Sequence, residues 1–179
     1  AEVEDGSIAL PVLTQKHAQE LAVSSQIGIH ARWTRHGEIE RIFLSSQGHP
    51  AVHLDASALQ DTQQLEMLKQ ILETSSEKVL YDAKSIILVL FKHGIRLQGP
   101  LFDVKLASQV LTAGIEGLDH SLQCLFERYI GNGTSSNNTG HAVELLHSLK
   151  AALSKELDDS RLTATARLEF DCIRATAEM

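Results

Sequence analysis

Apolar positions recur along the chain with two different spacings, and the alternation between them lays out the elements. In residues 21–29 apolar side chains flank a polar stretch, and residues 38–45 and 51–54 follow as short apolar runs. Arg35-His36-Gly37 and Ser46-Gln47-Gly48 separate them with turn chemistry, so three short strands in an antiparallel meander are predicted. Residues 61–73 switch to helical spacing, with Leu65, Leu68, Ile71 and Leu72 on one face and Asp61 or Ser57 as the cap.

The second half alternates more strictly. Residues 78–81 read as a strand that feeds a helix over 83–93, closed by Gly94. Gly99-Pro100 makes a turn before a short strand at Leu101-Phe102, and residues 104–111 continue as a helix. Residues 121–129 form a further helix with Ser121 as its cap. The run GNGTSSNNTG, residues 131–140, is too polar to build a core and predicts a flexible surface loop. Two helices follow, over 142–157 with Leu145, Leu146, Leu149 and Leu153 on one face, and over 162–177. Strands alternating with helices predict an α/β chain built on a mixed sheet.

Composition narrows the class. A chain of 179 residues is the size of one domain with one real core, and 43% hydrophobic with 22% charged residues is ordinary for a globular protein. No apolar run approaches the roughly 20 residues that cross a bilayer. The opening AEVEDGSIAL is acidic and lacks the basic-then-apolar order of a secretory signal, so a cytoplasmic location is expected. Cys124 and Cys172 lie far apart, each among apolar residues of a predicted helix, and read as reduced core thiols rather than a disulfide. The formal net charge of −7 repels a phosphate backbone at long range, so tight autonomous DNA binding is not expected.

Common catalytic signatures are missing. The chain has no Gly-rich phosphate loop, no Ser-centred elbow and no HExxH. His49 and His53 have the spacing of helical metal ligands, but Pro50 lies between them in a segment that reads as turn and strand; His141 and His147, six apart, share a helical face poorly. Asn132-Gly133-Thr134 and Asn137-Asn138-Thr139 match a glycosylation sequon inside the polar run, and Asp158-Asp159 reads as solvated helix-end charge. Lys84, Lys92, Arg96 and Lys105 cluster in sequence, yet only eight aromatic residues exist to interleave with them, which favours a solvated face over a nucleic-acid groove.

One stretch is more specific. VLYDAKSIILVLFKHGIRLQGPLFDVKLASQVL, residues 79–111, resembles the second exonuclease motif and following helix of family A DNA polymerases, the DNA polymerase I class. His120-Ser121-Leu122 with Glu127-Arg128-Tyr129-Ile130-Gly131 is similar to the next family element, and Ala166-Arg167-Leu168-Glu169-Phe170 onward resembles the linker helix that enters the polymerase domain. The resemblance covers nearly the whole chain, is strongest over residues 78–131 and is weak before Glu38. It implies a ribonuclease H-like fold of the DnaQ exonuclease type, a mixed β-sheet flanked by helices. Residues 1–179 would then be a single exonuclease-like domain whose last helix, at about 162–179, leads into a polymerase domain of the same polypeptide.

The resemblance also implies where the chemistry should sit. Active family members hold two Mg²⁺ or Mn²⁺ ions with acids from three motifs, because hard oxygen ligands suit those cations and two of them clamp the attacking and leaving oxygens. In the first motif, Asp-x-Glu, the register places Ser24 and Gln26. In the second, Asp82 takes the Asn-like slot, Lys84 the Lys slot and Ile86 the slot of the metal-binding Asp. In the third, Tyr-x-x-x-Asp, Asn137 and His141 are placed. Asp103, in Phe102-Asp103, matches a position that caps the next helix and is expected to be structural. No catalytic residue, metal or other cofactor is therefore assigned, as in the silenced domains of Bacillus-type enzymes.

Three functions stay open on these residues. The preferred one is a catalytically silent exonuclease-like domain that supports an attached polymerase domain in DNA replication or repair, touching DNA weakly or not at all, with no membrane partner and a place at the nucleoid as part of that polymerase. The second is an active metal-dependent 3′-to-5′ exonuclease of proofreading or ribonuclease D type, for which Glu38, Glu40 and Asp55 would have to serve. The third is a partner-binding module that uses the polar loop or an exposed apolar helix face.

Overall fold

The computed structural model describes residues 10–113, 115–131 and 139–177. The predicted meander is present as β1 (Gln26–Trp33), β2 (Ile39–Ser46) and β3 (His49–Asp55), joined by turns in which Gly37 and Gly48 adopt positive φ. The first strand starts later than the 21–29 segment suggested, because Gln15–Ala22 forms a helix, α1, that the hydrophobic pattern did not announce. Thr14 caps it: its hydroxyl accepts from the amide of His17 while His17 Nδ1 accepts from the amide of Thr14, a capping box with histidine in the usual Glu position. Leu21 is thus the buried end of a helix and Ile27 the buried start of a strand.

A short 3₁₀ turn, Ala56–Gln60, leads into α2 (Thr62–Leu72), whose cap is Asp61 through the amide of Gln64. Then follow β4 (Glu77–Leu80), α3 (Ala83–Lys92), β5 (Leu101–Asp103), α4 (Val104–Leu111), α5 (Leu122–Tyr129, capped by Ser121), α6 (Thr139–Asp159) and α7 (Thr163–Ala177). α6 takes in Thr139 and Gly140, which the sequence reading gave to the polar loop; Gly140 is buried, and a Cβ there would come within 2.3 Å of Leu10. Residues 132–138 of that loop, with both sequon asparagines, Asn132 and Asn137, and the opening residues 1–9 lie outside the described residues.

The strands form one sheet in the order β3-β2-β1-β4-β5, antiparallel across β3-β2-β1 and parallel across β1-β4-β5, which is the mixed α/β sheet expected. Residue alternation sends Ile27, Ile29, Ala31, Ile42 and Leu44 to one face, where α1, α2 and α3 cover them. The other face carries Phe43, Ala51, Val79 and Phe102, packed by Val143, Leu146 and Leu149 of α6 and by α4 and α5. α7 spans the two layers, contributing Phe170 to one and Ala177 to the other.

α7 is also tied to the lower edge of the sheet. Arg174 donates to the carbonyl of Gly99 at 2.6 Å. Gly99 sits at φ +80°, where a Cβ would come within 2.2 Å of the carbonyl of Ser76, so only glycine fits. Below that turn, the ammonium of the fully buried Lys78 donates to the carbonyl and hydroxyl of Thr74 and the carbonyl of Ser76, at 2.6–3.1 Å, with no carboxylate in the set. Desolvation, helped by the nearby Arg174 charge, pulls its pKa down to about 8.

The two cysteines are free but not in the core: Cys172 is exposed on α7, and Cys124 is half-buried with its thiol donating to Asp119. Both helices do contain buried apolar residues, but on faces other than the cysteines'. Among the described residues no helix is long and apolar enough to cross a membrane.

Candidate functional site

The parallel register locates the end of the sheet where the motif residues gather. Gln26 pairs with Glu77 and Ile29 with Leu80, and Leu80 pairs in turn with Asp103. Continuing two residues beyond Leu80 brings Asp82 level with Ala31. Asp82 and Asp103 are therefore neighbours at the C-terminal ends of β4 and β5.

Asp103 is 3% exposed and its carboxylate is consumed by the backbone. It accepts from the amides of Asp82 (3.3 Å) and Ala83 (2.8 Å) at the start of α3, and from Lys105 (2.9 Å) and Leu106 (3.3 Å) at the start of α4. One side chain thus caps two helices. Burial raises its pKa while the backbone donors oppose the rise. Asp82 makes no cap of its own; it takes a left-handed backbone, φ 59° and ψ 62°, that turns its amide and that of Ala83 toward Asp103. Its carboxylate faces Lys105 Nζ at 3.5 Å, and that ammonium lies 5.5 Å from the centre of the Tyr81 ring. Lys84 is exposed on the first turn of α3, and Ile86, one turn in, is 2% exposed in the core layer with Ile29 and Leu80.

Ser24 and Gln26 are not brought to this place. Ser24 precedes β1, its hydroxyl donating to the carbonyl of Glu20 at the end of α1. Gln26 opens β1 beside Glu77, five residues before Ala31, which is roughly 16 Å at the rise of a strand. The strand positions that do reach the Asp82–Asp103 end on the α6 side are His30 and Arg32, in step with Gly28. The sequence reading missed them, although the Ile27-x-Ile29-x-Ala31 alternation marks them: with the inward apolar face fixed, His30 and Arg32 belong to the other one.

Neither offers a metal an oxygen. His30 lies 6.3 Å, ring centre to ring centre, from Phe43 on β2, which is a like distance from His53 on β3. Burial holds the His30 imidazole down to about 4, so it is neutral at pH 7. Arg32 pairs with Glu40 through two nitrogens at 3.0 and 3.2 Å, and Arg41 beside it pairs with Asp55 at 2.6 Å. Glu40 and Asp55 are thereby engaged by guanidinium groups.

α6 crosses this face antiparallel to β1: the Val143 carbonyl lies over Gly28 and Ser45, His147 over Gln26, and Lys150 reaches Glu77. His141 therefore sits at the end of α6 nearest His30, exposed, with Nδ1 3.9 Å from Glu144. Glu144 in turn accepts from the amide of Ala51. His49 and His53 fall on β3, the first exposed and the second buried with an unpartnered Nδ1. Among the described residues no three His, Cys, Asp or Glu side chains are grouped so as to hold a metal ion, and this set does not fit the two-cation centre that a nuclease of this architecture needs.

Comparison with known proteins follows the same lines. The family described as DNA polymerase I, ribonuclease H-like domain matches residues 35–130. No curated protein matches by sequence. Among solved structures, the chain is similar to the polymerase Pol1 of M. smegmatis bound to DNA primer-template and dNTP, with 21% identity and a TM-score of 0.76 over 94% of this chain and 31% of that one. It is similar to E. coli RNase D, an exoribonuclease involved in structured RNA processing, with 16% identity and a TM-score of 0.70 over 94% and 50%. It is also similar to Brucella melitensis NrnC with bound Mg²⁺, with 16% identity and a TM-score of 0.70 over 89% and 86%. Identities this low carry the fold, and the fold they share is the ribonuclease H-like one expected from the sequence.

Proposed function

This chain belongs to the family of DNA polymerase I ribonuclease H-like domains, and from that premise we propose that it is a catalytically silent exonuclease-like domain that supports an attached polymerase domain. The chain spans 31% of the mycobacterial polymerase it matches, so the polymerase remainder is part of the proposal. In this reading α7 is the element that leads toward it.

One observation carries the proposal: at the end of the sheet where β1, β4, β5 and α6 converge, the carboxylates are already committed. Asp103 is held by four amides, Asp82 by Lys105, Glu40 by Arg32 and Asp55 by Arg41. The strand that would supply an acid pair supplies a half-buried neutral imidazole and a guanidinium, and α3 supplies Ile86. A pair of cations placed here would add to the positive charge of Arg32 and Lys105, and like charges repel. The fold tolerates this composition because its core is made by the alternating apolar residues, which do not depend on the acids.

DNA contact in this reading is weak or absent, in keeping with the net charge of −7. The test is a calorimetric titration with Mn²⁺ near pH 7.5. The proposal expects no saturable heat beyond dilution, and a two-site isotherm would overturn it.

A further inference from the structure

Between α1 and the β2–β3 hairpin lies a cavity of about 220 Å³, lined by Lys16, His17 and Glu20 of α1, by Ser46 and His49 of the hairpin, and by apolar neighbours. The strand register decides which hairpin side chains face it. Ser45 turns toward α6, where its hydroxyl donates to the Val143 carbonyl at 3.0 Å. Ser46, the next residue of β2, therefore faces the α1 side, in step with Ile42 and Leu44 and paired with Ile27 of β1. His49 stands opposite Ser46 across the hairpin. Ile27 lies at the start of β1, so the cavity is at the end of the sheet away from Asp82 and Asp103 and is independent of the silent-nuclease reading.

Ser46 is 3% exposed, and its hydroxyl has no hydrogen-bond partner in the protein. A buried hydroxyl without a partner is a standing cost that a ligand atom would remove. The groups around it are chiefly donors. His17 Nδ1 accepts from the Thr14 amide in the α1 cap, so the hydrogen of the neutral ring sits on Nε2 and is free to donate. Lys16 adds an ammonium, exposed and 3.9 Å from Glu20. Glu20 is the one carboxylate among the residues that line the cavity.

We propose that this cavity binds inorganic phosphate between α1 and the hairpin. Donors alone would accept any oxyanion, since bare oxygens take hydrogen bonds from a hydroxyl, an imidazole N–H and an ammonium alike. The carboxylate narrows the choice. A carboxylate facing an oxyanion repels it unless the oxyanion still carries a hydrogen that the carboxylate can accept. Inorganic phosphate keeps such a hydrogen near neutral pH, whereas sulfate and a phosphodiester have none. Ser46, His17 and Lys16 thus supply the attraction, and Glu20 supplies the selection against sulfate and against the backbone of a nucleic acid. The ligand also bridges a helix and a hairpin, so its binding ties α1 to the sheet.

The test follows amide and imidazole NMR signals of the purified chain during titration with sodium phosphate to about 50 mM near neutral pH, with ionic strength held constant by chloride. Saturable shifts are expected at His17, Ser46 and His49, with a dissociation constant on the order of 1 mM. Sodium sulfate and dimethyl phosphate, titrated in the same way, are expected to bind at least roughly tenfold more weakly. Ser46→Ala removes a hydroxyl that holds no partner, so the chain should fold as before and bind phosphate roughly tenfold more weakly. Glu20→Gln is expected to let sulfate in and close most of the gap between the two anions. The site is overturned by the absence of saturable shifts at these residues, by sulfate or dimethyl phosphate binding as tightly as phosphate, by a Ser46→Ala chain of unchanged affinity, or by a Glu20→Gln chain of unchanged selectivity.

Discussion

His30 precedes Ala31 on β1 with its ring beside Phe43, and its chemistry has a measurable consequence. Its pKa is held at about 4 in the fold against about 6.5 in an unfolded chain, so both states are neutral at pH 7. As the pH falls below 6.5 the unfolded chain takes up a proton that the folded chain refuses, and stability is lost until about pH 4. The full loss is on the order of 3 kcal/mol at that one residue. His30→Phe keeps the ring against Phe43 and is expected to flatten the stability decline between pH 6.5 and 4, read by urea denaturation at several pH values. Asp103 is the second residue of this kind. Asp103→Ala strands four amides at two helix starts and is expected to cost at least about 2 kcal/mol by the same measurement. Asp103→Asn, which keeps one acceptor oxygen, should cost less. The family resemblance implied Asp103 as the cap of the next helix, and it caps α4; the sequence could not disclose that the same carboxylate also caps α3, since that depends on the left-handed turn at Asp82.

Among the elements, the predicted strands and helices are present because each has a period that matches its geometry. α1 escaped because its cap uses His17 rather than an acid and its apolar residues are few: only Ala18 and Leu21 are buried. That omission shifted the start of β1. With no acid pair on the first strand to anchor the first motif, the register put Ser24 and Gln26 there, and the structure has them at the start of β1, remote from Asp82 and Asp103. The spacing of the buried Ile27, Ile29 and Ala31 gives the better register, because a strand's two faces are fixed by its core residues. α6 was legible from its leucines, yet its closeness to β1 was not; that depends on Gly28, where β1 offers no side chain and the Val143 carbonyl approaches. Gly28→Ala puts a Cβ 2.7 Å from Ser45 Oγ and 3.0 Å from the Val143 carbonyl, so it is expected to destabilise by about 1–3 kcal/mol. Exchange protection in α6 should fall in that variant before protection in β4 does.

For the molecule as a whole, the side chains that close the core are not the ones that gather at the Asp82–Asp103 end of the sheet. The two core layers are closed by apolar side chains, while the Asp82–Asp103 end of the sheet is filled by ion pairs, a double cap and a neutral imidazole. The most direct measurement is digestion of a 3′-labelled single-stranded DNA by the purified chain with saturating Mn²⁺, followed by release of labelled mononucleotide. The expected result is release no faster than with buffer and Mn²⁺ alone. Mononucleotide release that scales with protein concentration and is abolished by a chelator would contradict the account.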